Sequence, residues 1–375
     1  MAGFNYGEFK KKERVDDVSK YTLEAYATTE PPDWLKGATQ SPMDEMGPHM
    51  GGGSALSGMV LTPSAMADQV LVDALNAVRL YTQWYGPTAY GRLAVTQQPA
   101  FDVGQSWPTL VYLPMSAFLD PTQRWQLLGR NTFQFSKEFV NVVTAHEVAH
   151  QWWGNTAGWA SYHDEWLSEG FADFSAALFL EATQPKGDDC QKFWDSERRL
   201  LLDKNQFGNR ANDVGPLWMG QRLDSFKAPR LPPDRLCQGR VCAAHAALPD
   251  AGPPNRRQGF HAMVHDYLTT YSGKSASTED FQRMVEKHML PEMNLEGNGR
   301  MDWFFQEWVY GTEAPSYRLE YTMADAEGGK TLLTMKISQQ DVGPSFKMRV
   351  PVYVDYDGSC SPLGDRAHSG VFHQQ

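Results

Sequence analysis

Two histidines and a glutamate at short spacing are the residues of this chain with the clearest chemical potential. The segment HEVAH places His146 and His150 four positions apart, with Glu147 directly after the first histidine. Positions four apart lie on one face of a helix, so both imidazoles could bind one metal ion. Glu147 would point beside that ion, where its carboxylate can take a proton from a metal-bound water. The pattern predicts a hydrolytic metal site.

A third protein ligand is required, and Glu169 is the candidate. It lies in WLSEGFADF, an otherwise apolar segment of the next predicted helix, where a buried carboxylate without a partner would be costly. Two histidines and one carboxylate leave one position of a tetrahedral zinc ion open, as in catalytic sites. We therefore predict one Zn²⁺ per chain bound by His146, His150 and Glu169, with Glu147 as the general base.

The two segments that supply the site, HEVAH and the segment with Glu169, both lie within helical patterns. SKEFVNVVTAHEVAHQWWGN keeps the helical period up to Gly154, and a second helix begins near Asp164, its expected N-cap. Ser277 or Thr278 is expected to cap a later helix. The other predicted helices are SAMADQVLVDALNAVRLYTQWYG, GDDCQKFWDSERRLLL, QGFHAMVHDYLTTYSG, STEDFQRMVEKHM and MDWFFQEWVYG, and the predicted buried strands are RLAVTQ and PTLVYLP.

The hydrophobic pattern divides the chain into three units. FNYGEFKKKERVDD and YTLEAYATTE alternate like two strands, the centre is mainly helical, and the pattern returns to period two after Pro315. We predict an α+β multidomain fold with a remnant of an N-terminal β domain and linker (1–60), a mainly helical catalytic domain (61–313) and a partial C-terminal β unit (314–375). Both end units look unfinished, so we expect a truncated chain.

Composition and charge exclude several classes of function. The formal net charge of −11 over 375 residues, without a concentrated basic surface, argues against a nucleic-acid partner. No apolar run approaches the roughly 18 residues of a transmembrane helix, so we expect a soluble chain. The four cysteines show no paired metal-binding spacing. Neither the compartment nor the oligomeric state follows from the sequence.

HEVAHQWWGN followed by DEWLSEGFADF resembles the M1 family of gluzincin metallopeptidases, the family of aminopeptidase N and leukotriene A4 hydrolase. The resemblance implies a thermolysin-like catalytic domain between β domains, a peptide substrate, and the same roles for the three ligands and the base. Asn155 and Asp164 also match family positions, which would support the site without contacting zinc.

The sequence departs from the family pattern at the strand before the histidine helix. Typical aminopeptidases of this family have a GxMEN segment whose glutamate binds the free amino terminus of the peptide. The equivalent stretch here is GQSWPTLVYLP, and alignment on Pro108 places Ser106 at the glutamate position. The carboxylate for a terminal ammonium is therefore missing, and exopeptidase specificity stays open.

A second departure concerns the family's oxyanion-stabilising tyrosine, which precedes a Lys-Gly pair. The expected region, RLCQGRVCAAHAALPDAGPPNRRQGF, has neither that motif nor helical periodicity. Reading the codons of Leu236 to Asp250 one nucleotide later permits YVKGAYVLHMLRYLM, so we hypothesise a local frameshift within 236–257 that puts Leu236 at the tyrosine position. Losing such a donor typically costs about 10²–10³ in rate.

Two other functions stay open. A zinc-binding but catalytically impaired homologue that binds peptides or proteins would fit Ser106 and Leu236. A helical binding module with an accidental HEVAH would leave the position of Glu169 unexplained. The tryptophans near the histidines either line substrate subsites or pack in the core, and we expect core packing for them: Trp152, Trp153 and Trp159.

Overall fold

A mixed five-stranded sheet occupies the first part of the chain. The structure, a computed structural model, describes residues 3–33, 61–100, 103–123, 137–184, 188–204, 208, 210, 213–224, 254–328, 330–348, 350, 352–356 and 359–362. The strands of the sheet are β1 (Phe9–Val15), β2 (Thr22–Thr28), β3 (Arg92–Gln97), β4 (Gln105–Trp107) and β5 (Leu110–Leu113), in the spatial order β1-β2-β3-β5-β4. β2, β3 and β5 are parallel, whereas β1 and β4 pair antiparallel with β2 and β5. β4 is thus an edge strand among the described residues.

β1 and β2 belong to the same sheet as the strands that follow residue 60. β2 pairs with β3 from Thr22 to Tyr26, and its inward residues Leu23, Ala25 and Ala27 are buried in the main core. The sequence reading assigned these strands to a remnant of a separate N-terminal domain. β3 is buried along almost its whole length, and such a strand needs a hydrogen-bonding neighbour on each side, which β2 and β5 supply. The limits of the units otherwise stay a prediction.

The helices largely follow the predicted pattern. In the described part of the chain they are α1 (Ala67–Tyr85), α2 (Lys137–Ala149), α3 (Trp166–Thr183), α4 (Asp189–Leu202), α5 (Pro254–Thr270), α6 (Thr278–Lys287) and α7 (Asp302–Trp308). α1 ends at Gly86, whose φ of 83° suits glycine. None of the described helices combines the length and apolarity needed to cross a membrane.

α2 and α3 pack against each other in the centre of the molecule. α3 is buried on nearly every side from Trp166 to Leu180, as expected for a helix with almost no polar face. Trp152 and Trp153 are each 1% exposed and lie in the main core, which confirms the expected packing role. Trp159 is 38% exposed, so the same expectation was wrong for it.

α2 is shorter than the periodicity indicated. It ends at Ala149 rather than near Gly154. The N–H groups of Gln151 and Trp152 donate to the carbonyls three residues back, at 3.0 and 2.9 Å, which is the tighter turn common at helix ends. The N–H of His150 still donates to the carbonyl of His146 at 3.4 Å, so both histidines keep the helical offset.

Asp164 links two helices instead of capping α3. Its Oδ1 accepts hydrogen bonds from the backbone N–H (2.7 Å) and the hydroxyl (2.8 Å) of Thr278, the first residue of α6. α3 begins without a side-chain cap. Ser277 caps α6, as predicted, in a capping box with Asp280.

Short strands complete the fold. β6 (Ala157–Trp159) and β7 (Lys274–Ala276) form a parallel pair that joins the chain after α2 to the segment before α6. The period-two pattern after Pro315 becomes the antiparallel hairpin of β8 (Ser316–Ala326) and β9 (Lys330–Gln340), followed by β10 (Tyr353–Tyr356) and β11 (Ser359–Pro362). The described residues therefore combine helices and sheets, as expected of an α+β fold.

Candidate metal centre

The packing of α3 against the end of α2 brings His146, His150 and Glu169 together. The Nε2 atoms of the two histidines lie 3.1 Å apart. The Oε2 atom of Glu169 lies 3.6 Å from Nε2 of His146 and 3.5 Å from Nε2 of His150. Both histidines are buried and Glu169 is partly buried. The sequence-predicted ligands thus meet at one point.

The spacing of these three atoms fits a tetrahedral metal ion. Nitrogen and oxygen ligands lie about 2.0–2.2 Å from zinc, which places neighbouring ligand atoms about 3.4 Å apart. The three observed separations are close to that value. Two nitrogens and one carboxylate oxygen are also donors that zinc accepts. The residues present therefore fit a zinc ion, with one position left for a further ligand.

The hydrogen bonds of the imidazoles are made by their Nδ1 atoms, while both Nε2 atoms face the centre of the group. Nδ1 of His146 lies 2.7 Å from Oδ1 of Asp173, and Nδ1 of His150 lies 3.1 Å from the carbonyl oxygen of Trp153. Because those oxygens accept, each neutral imidazole carries its hydrogen on Nδ1. Two nitrogen lone pairs then face each other at 3.1 Å, an arrangement that a bound cation would stabilise. The hydroxyl of Ser168 lies 3.1 Å from Nδ1 of His150 and donates to the same Trp153 carbonyl at 3.0 Å.

The charges around the pocket favour a cation. Burial alone would lower the pKa of His146, but the charge of Asp173 outweighs it and holds that pKa well above its usual value. Burial would raise the pKa of Glu169, but His150 and His146 hold it well below its usual range. Glu169 is therefore ionised. Glu147 and Asp173 add two further carboxyl groups to the pocket, and burial raises the pKa of Asp173 although the charge of His146 opposes this rise. Surroundings that stabilise a proton on imidazole also stabilise a divalent cation in its place.

Glu147 lies beside the metal-binding group and against strand β4. It is 5% exposed, and its charge raises the pKa of both His146 and His150. A Cβ atom added to Gly104 would collide with Oε1 of Glu147, so the backbone directly before β4 touches the carboxylate. A side chain at position 104 would occupy the place of this carboxylate.

Ser106 lies on edge strand β4 and is bound from the end of α2. Its hydroxyl oxygen accepts a hydrogen bond from Nε2 of Gln151 at 2.8 Å and is 3.5 Å from Nδ2 of Asn155. Asn155 therefore supports the region around the site without joining the metal-binding group. We inferred that Leu236 occupies the position of the oxyanion-stabilising tyrosine. This residue and the rest of the suspected frameshift up to residue 253 lie outside the described residues.

Sequence reasoning missed four residues that shape the site. They are Gly104, Gln151, Ser168 and Asp173, which contact the base, the edge strand or the ligands. Asp173 had a usable signal, because it follows Glu169 by one helical turn in an apolar segment. The contacts of Gly104 and Gln151 join distant parts of the sequence and had no local signal.

Known proteins match this chain in the region of the site. Residues 122–213 match the model of the peptidase family M1 domain. The chain is 27% identical to aminopeptidase N of Lactococcus lactis subsp. cremoris over 144 residues, 38% of this chain and 16% of that protein. It is 33% identical to bovine (Bos taurus) aminopeptidase N over 132 residues, 33% of this chain and 13% of that protein.

A solved structure extends the likeness of the fold. The M1 zinc metallopeptidase from Deinococcus radiodurans superposes with a TM-score of 0.51 at 18% identity, covering 83% of this chain and 53% of that one. The match to the first curated relative spans about one sixth of its length, and that to the solved structure about half. The residues that the family model matches include the converged His146, His150 and Glu169. The family-model match and the geometry of the group together indicate a peptidase family M1 domain in this part of the chain.

Proposed function

We propose that this protein is a zinc-dependent peptidase that hydrolyses peptide bonds with Glu147 as the general base. The observation that carries the proposal is the convergence of His146, His150 and Glu169 at separations that suit a tetrahedral zinc ion. The curated relatives named above are aminopeptidases, which supports peptides as the substrate class. We infer a thermolysin-like arrangement of the catalytic unit from the sequence resemblance.

In this proposal the residues of the site have three roles: metal binding, orientation of the histidines and proton transfer. His146, His150 and Glu169 would hold zinc, and Asp173 with the Trp153 carbonyl would keep the two imidazoles in the ligating tautomer. When bound, zinc would polarise the scissile carbonyl and lower the pKa of water at the site to about 7. Glu147 would accept the proton of the attacking water and later donate it to the leaving amine.

The burial of Glu147 suits this role. Its carboxylate lies in a confined space between the histidine helix and Gly104. Confinement limits the rotamers of the side chain and keeps the base in one place, which is how catalytic groups gain from orientation. The choice between removal of N-terminal residues and internal cleavage is open, because Ser106 rather than a carboxylate lies on the edge strand.

Hydrolysis of matched fluorogenic peptides tests the proposal. The zinc-loaded full chain is assayed with a peptide that has a free amino terminus and with its N-acetylated form, with and without a chelator. Glu147→Gln keeps the size of the side chain but removes its basicity, and the exposed Glu327→Gln is the matched control. We expect turnover by the parent and the control, and a loss of at least about 10²-fold in kcat for Glu147→Gln.

The outcomes separate the two candidate functions. Cleavage that requires both zinc and Glu147 supports the peptidase, and the ratio of the two substrates decides between exopeptidase and endopeptidase. One zinc per chain without turnover would support the impaired, peptide-binding homologue. Turnover that survives Glu147→Gln would overturn the role of this residue.

A further inference from the structure

The side chain of Gln151 joins the end of the histidine helix to the edge of the sheet. It is 6% exposed and follows His150 directly. Its Nε2 donates to the hydroxyl of Ser106 at 2.8 Å and to the carbonyl of Trp107 at 3.0 Å. Its Oε1 accepts from the backbone N–H of Thr109 at 2.8 Å. Both amide hydrogens and the amide oxygen are thus engaged with β4 and the turn that follows it.

That turn holds a residue in an unfavourable conformation. Thr109 has a φ of 65°, in the left-handed region that β-branched residues rarely adopt because of steric conflict. Such a conformation persists only where surrounding contacts impose it. The hydrogen bond from Thr109 to Gln151 is one such contact. The turn between β4 and β5 is therefore fixed by the side chain of Gln151, which lies just beyond the C-terminal end of α2.

β4 also lies next to Glu147, the proposed general base. β4 has three residues, and within the described part of the chain its only neighbouring strand is β5. Gln151 binds Ser106 and Trp107 of this strand, and directly before the strand Gly104 touches the carboxylate of Glu147. The position of β4 relative to α2 therefore determines the space available to the carboxylate of Glu147.

We propose that Gln151 is a positioning residue for Glu147, acting through β4. This inference rests on the proposed function, since it concerns the base of the proposed peptidase. By fixing the edge strand it holds Gly104 against the carboxylate of Glu147 and so keeps the base at one place beside the metal-binding group.

Steady-state kinetics of Gln151→Met test this role in the zinc-loaded full chain. Methionine has a similar length but makes none of the three hydrogen bonds. We expect kcat per zinc-loaded chain to fall by about 10- to 10²-fold, because displacement of a catalytic group by about 1 Å can cost that much, while zinc stoichiometry stays at that of the parent. Gln69→Met, at an exposed helix position, is the matched control and should keep the kcat of the parent.

A double variant separates positioning from a general loss of stability. Gly104→Ala should lower kcat directly, because its Cβ would meet Glu147. If Gln151 acts through this contact, Gln151→Met in the Gly104→Ala background should cost at most about twofold more, since coupled residues are not additive. A kcat of Gln151→Met within twofold of the parent, or fully additive losses, would overturn the proposal.

Crystal structures of the parent and of Gln151→Met give a readout independent of turnover. We expect β4 to move away from α2 in the variant and the Glu147 carboxylate to leave its contact with Gly104. An unchanged contact would overturn the positioning role even if the variant were less active. If the parent shows no turnover, the peptidase function is rejected. If Glu147 is nevertheless displaced in the Gln151→Met variant, Gln151 is still the residue that fixes the Glu147 side chain.

Discussion

Nδ1 of His146 and Oδ1 of Asp173 lie 2.7 Å apart in the packed interface between α2 and α3. This contact joins a candidate ligand to a carboxylate that lies one helical turn beyond Glu169, the candidate ligand on the same helix. One face of α3 therefore supplies both a candidate ligand and the group that would orient another. The other oxygen of Asp173, Oδ2, is buried without a hydrogen-bond partner among the described residues, so the His146 contact is the main compensation for burying this carboxylate.

Removing the charge of Asp173 should weaken metal binding. In Asp173→Asn the partner of His146 becomes a neutral amide. The amide orients the imidazole less strongly and makes its Nε2 atom a weaker ligand for the metal ion. We expect zinc affinity to fall by about 10- to 100-fold, the usual effect of changing a residue that orients a ligand. Titration against a competing chelator measures this. The exposed Asp17→Asn controls for the loss of one negative charge, and equal affinities of the two variants would refute the orienting role.

Metal removal should loosen the junction of α2 and α3. A metal ion bound to His146, His150 and Glu169 joins these helices only in the folded state, so it stabilises that state by mass action. At a free zinc concentration about 10³ times Kd the effect is about 4 kcal/mol. Thermal unfolding with and without a chelator should show the corresponding fall in Tm. In Glu169→Gln the chelator effect should be small. A shift equal to that of the parent would mean that the ion binds elsewhere.

Asp164 should contribute to stability through its hydrogen bonds to Thr278. Asp164 is 4% exposed, and in Asp164→Ala the N–H and hydroxyl of Thr278 lose their acceptor. Each buried group left without a partner costs about 1–3 kcal/mol, so we expect about 3 kcal/mol of destabilisation in urea unfolding. Asp164→Asn keeps an acceptor oxygen and should lose less. If Asp164→Ala unfolded at the urea concentration of Asp17→Ala, the link between α3 and α6 would be energetically unimportant.

The sequence was sufficient to predict that His146, His150 and Glu169 form one group, because the signals that point to them are local. The four-residue offset of His146 and His150 and the apolar surroundings of Glu169 can be read from one or two helical turns. The offset of Asp173 from Glu169 could have made it a candidate for the same site, but its pairing with His146 could not be predicted, because that depends on how α3 is rotated against α2. The same limit applied to Gln151, whose partners Ser106 and Thr109 lie far away in sequence.

Non-local pairing also limited the prediction for the first two strands. β1 and β2 have the alternation of strands, but nothing within them indicates that β2 pairs in parallel with β3 across the intervening segment. The shorter α2 has a similar cause. Its periodicity continues to Gly154, yet hydrogen bonds from Gln151 to β4 and the tightened turn end the regular helix at Ala149.

A buried carboxylate far along the chain should make stability depend on pH. Glu307 accepts a hydrogen bond from the backbone N–H of Lys347 at 2.6 Å through Oε1, while its Oε2 is buried without a partner among the described residues. Burial raises the pKa of Glu307 from 4.5 to about 7, with Glu313 and Glu296 adding to the rise and Lys347 opposing it. The folded state therefore binds this proton more tightly than the unfolded state does.

The sign of the pH effect follows from that difference. Since the pKa of Glu307 is higher in the folded state, its contribution is most favourable below about pH 4.5 and is lost as the pH rises to about 7. Glu307→Gln keeps an oxygen for the Lys347 N–H and removes the ionisation, so it should stabilise the protein at pH 8 relative to the parent and lose that advantage at pH 5. Urea unfolding at both values measures the difference, with the exposed Glu327→Gln as control. A Glu307→Gln variant with the same pH dependence as the parent would show that this carboxylate ionises in the folded protein as it does in the unfolded chain.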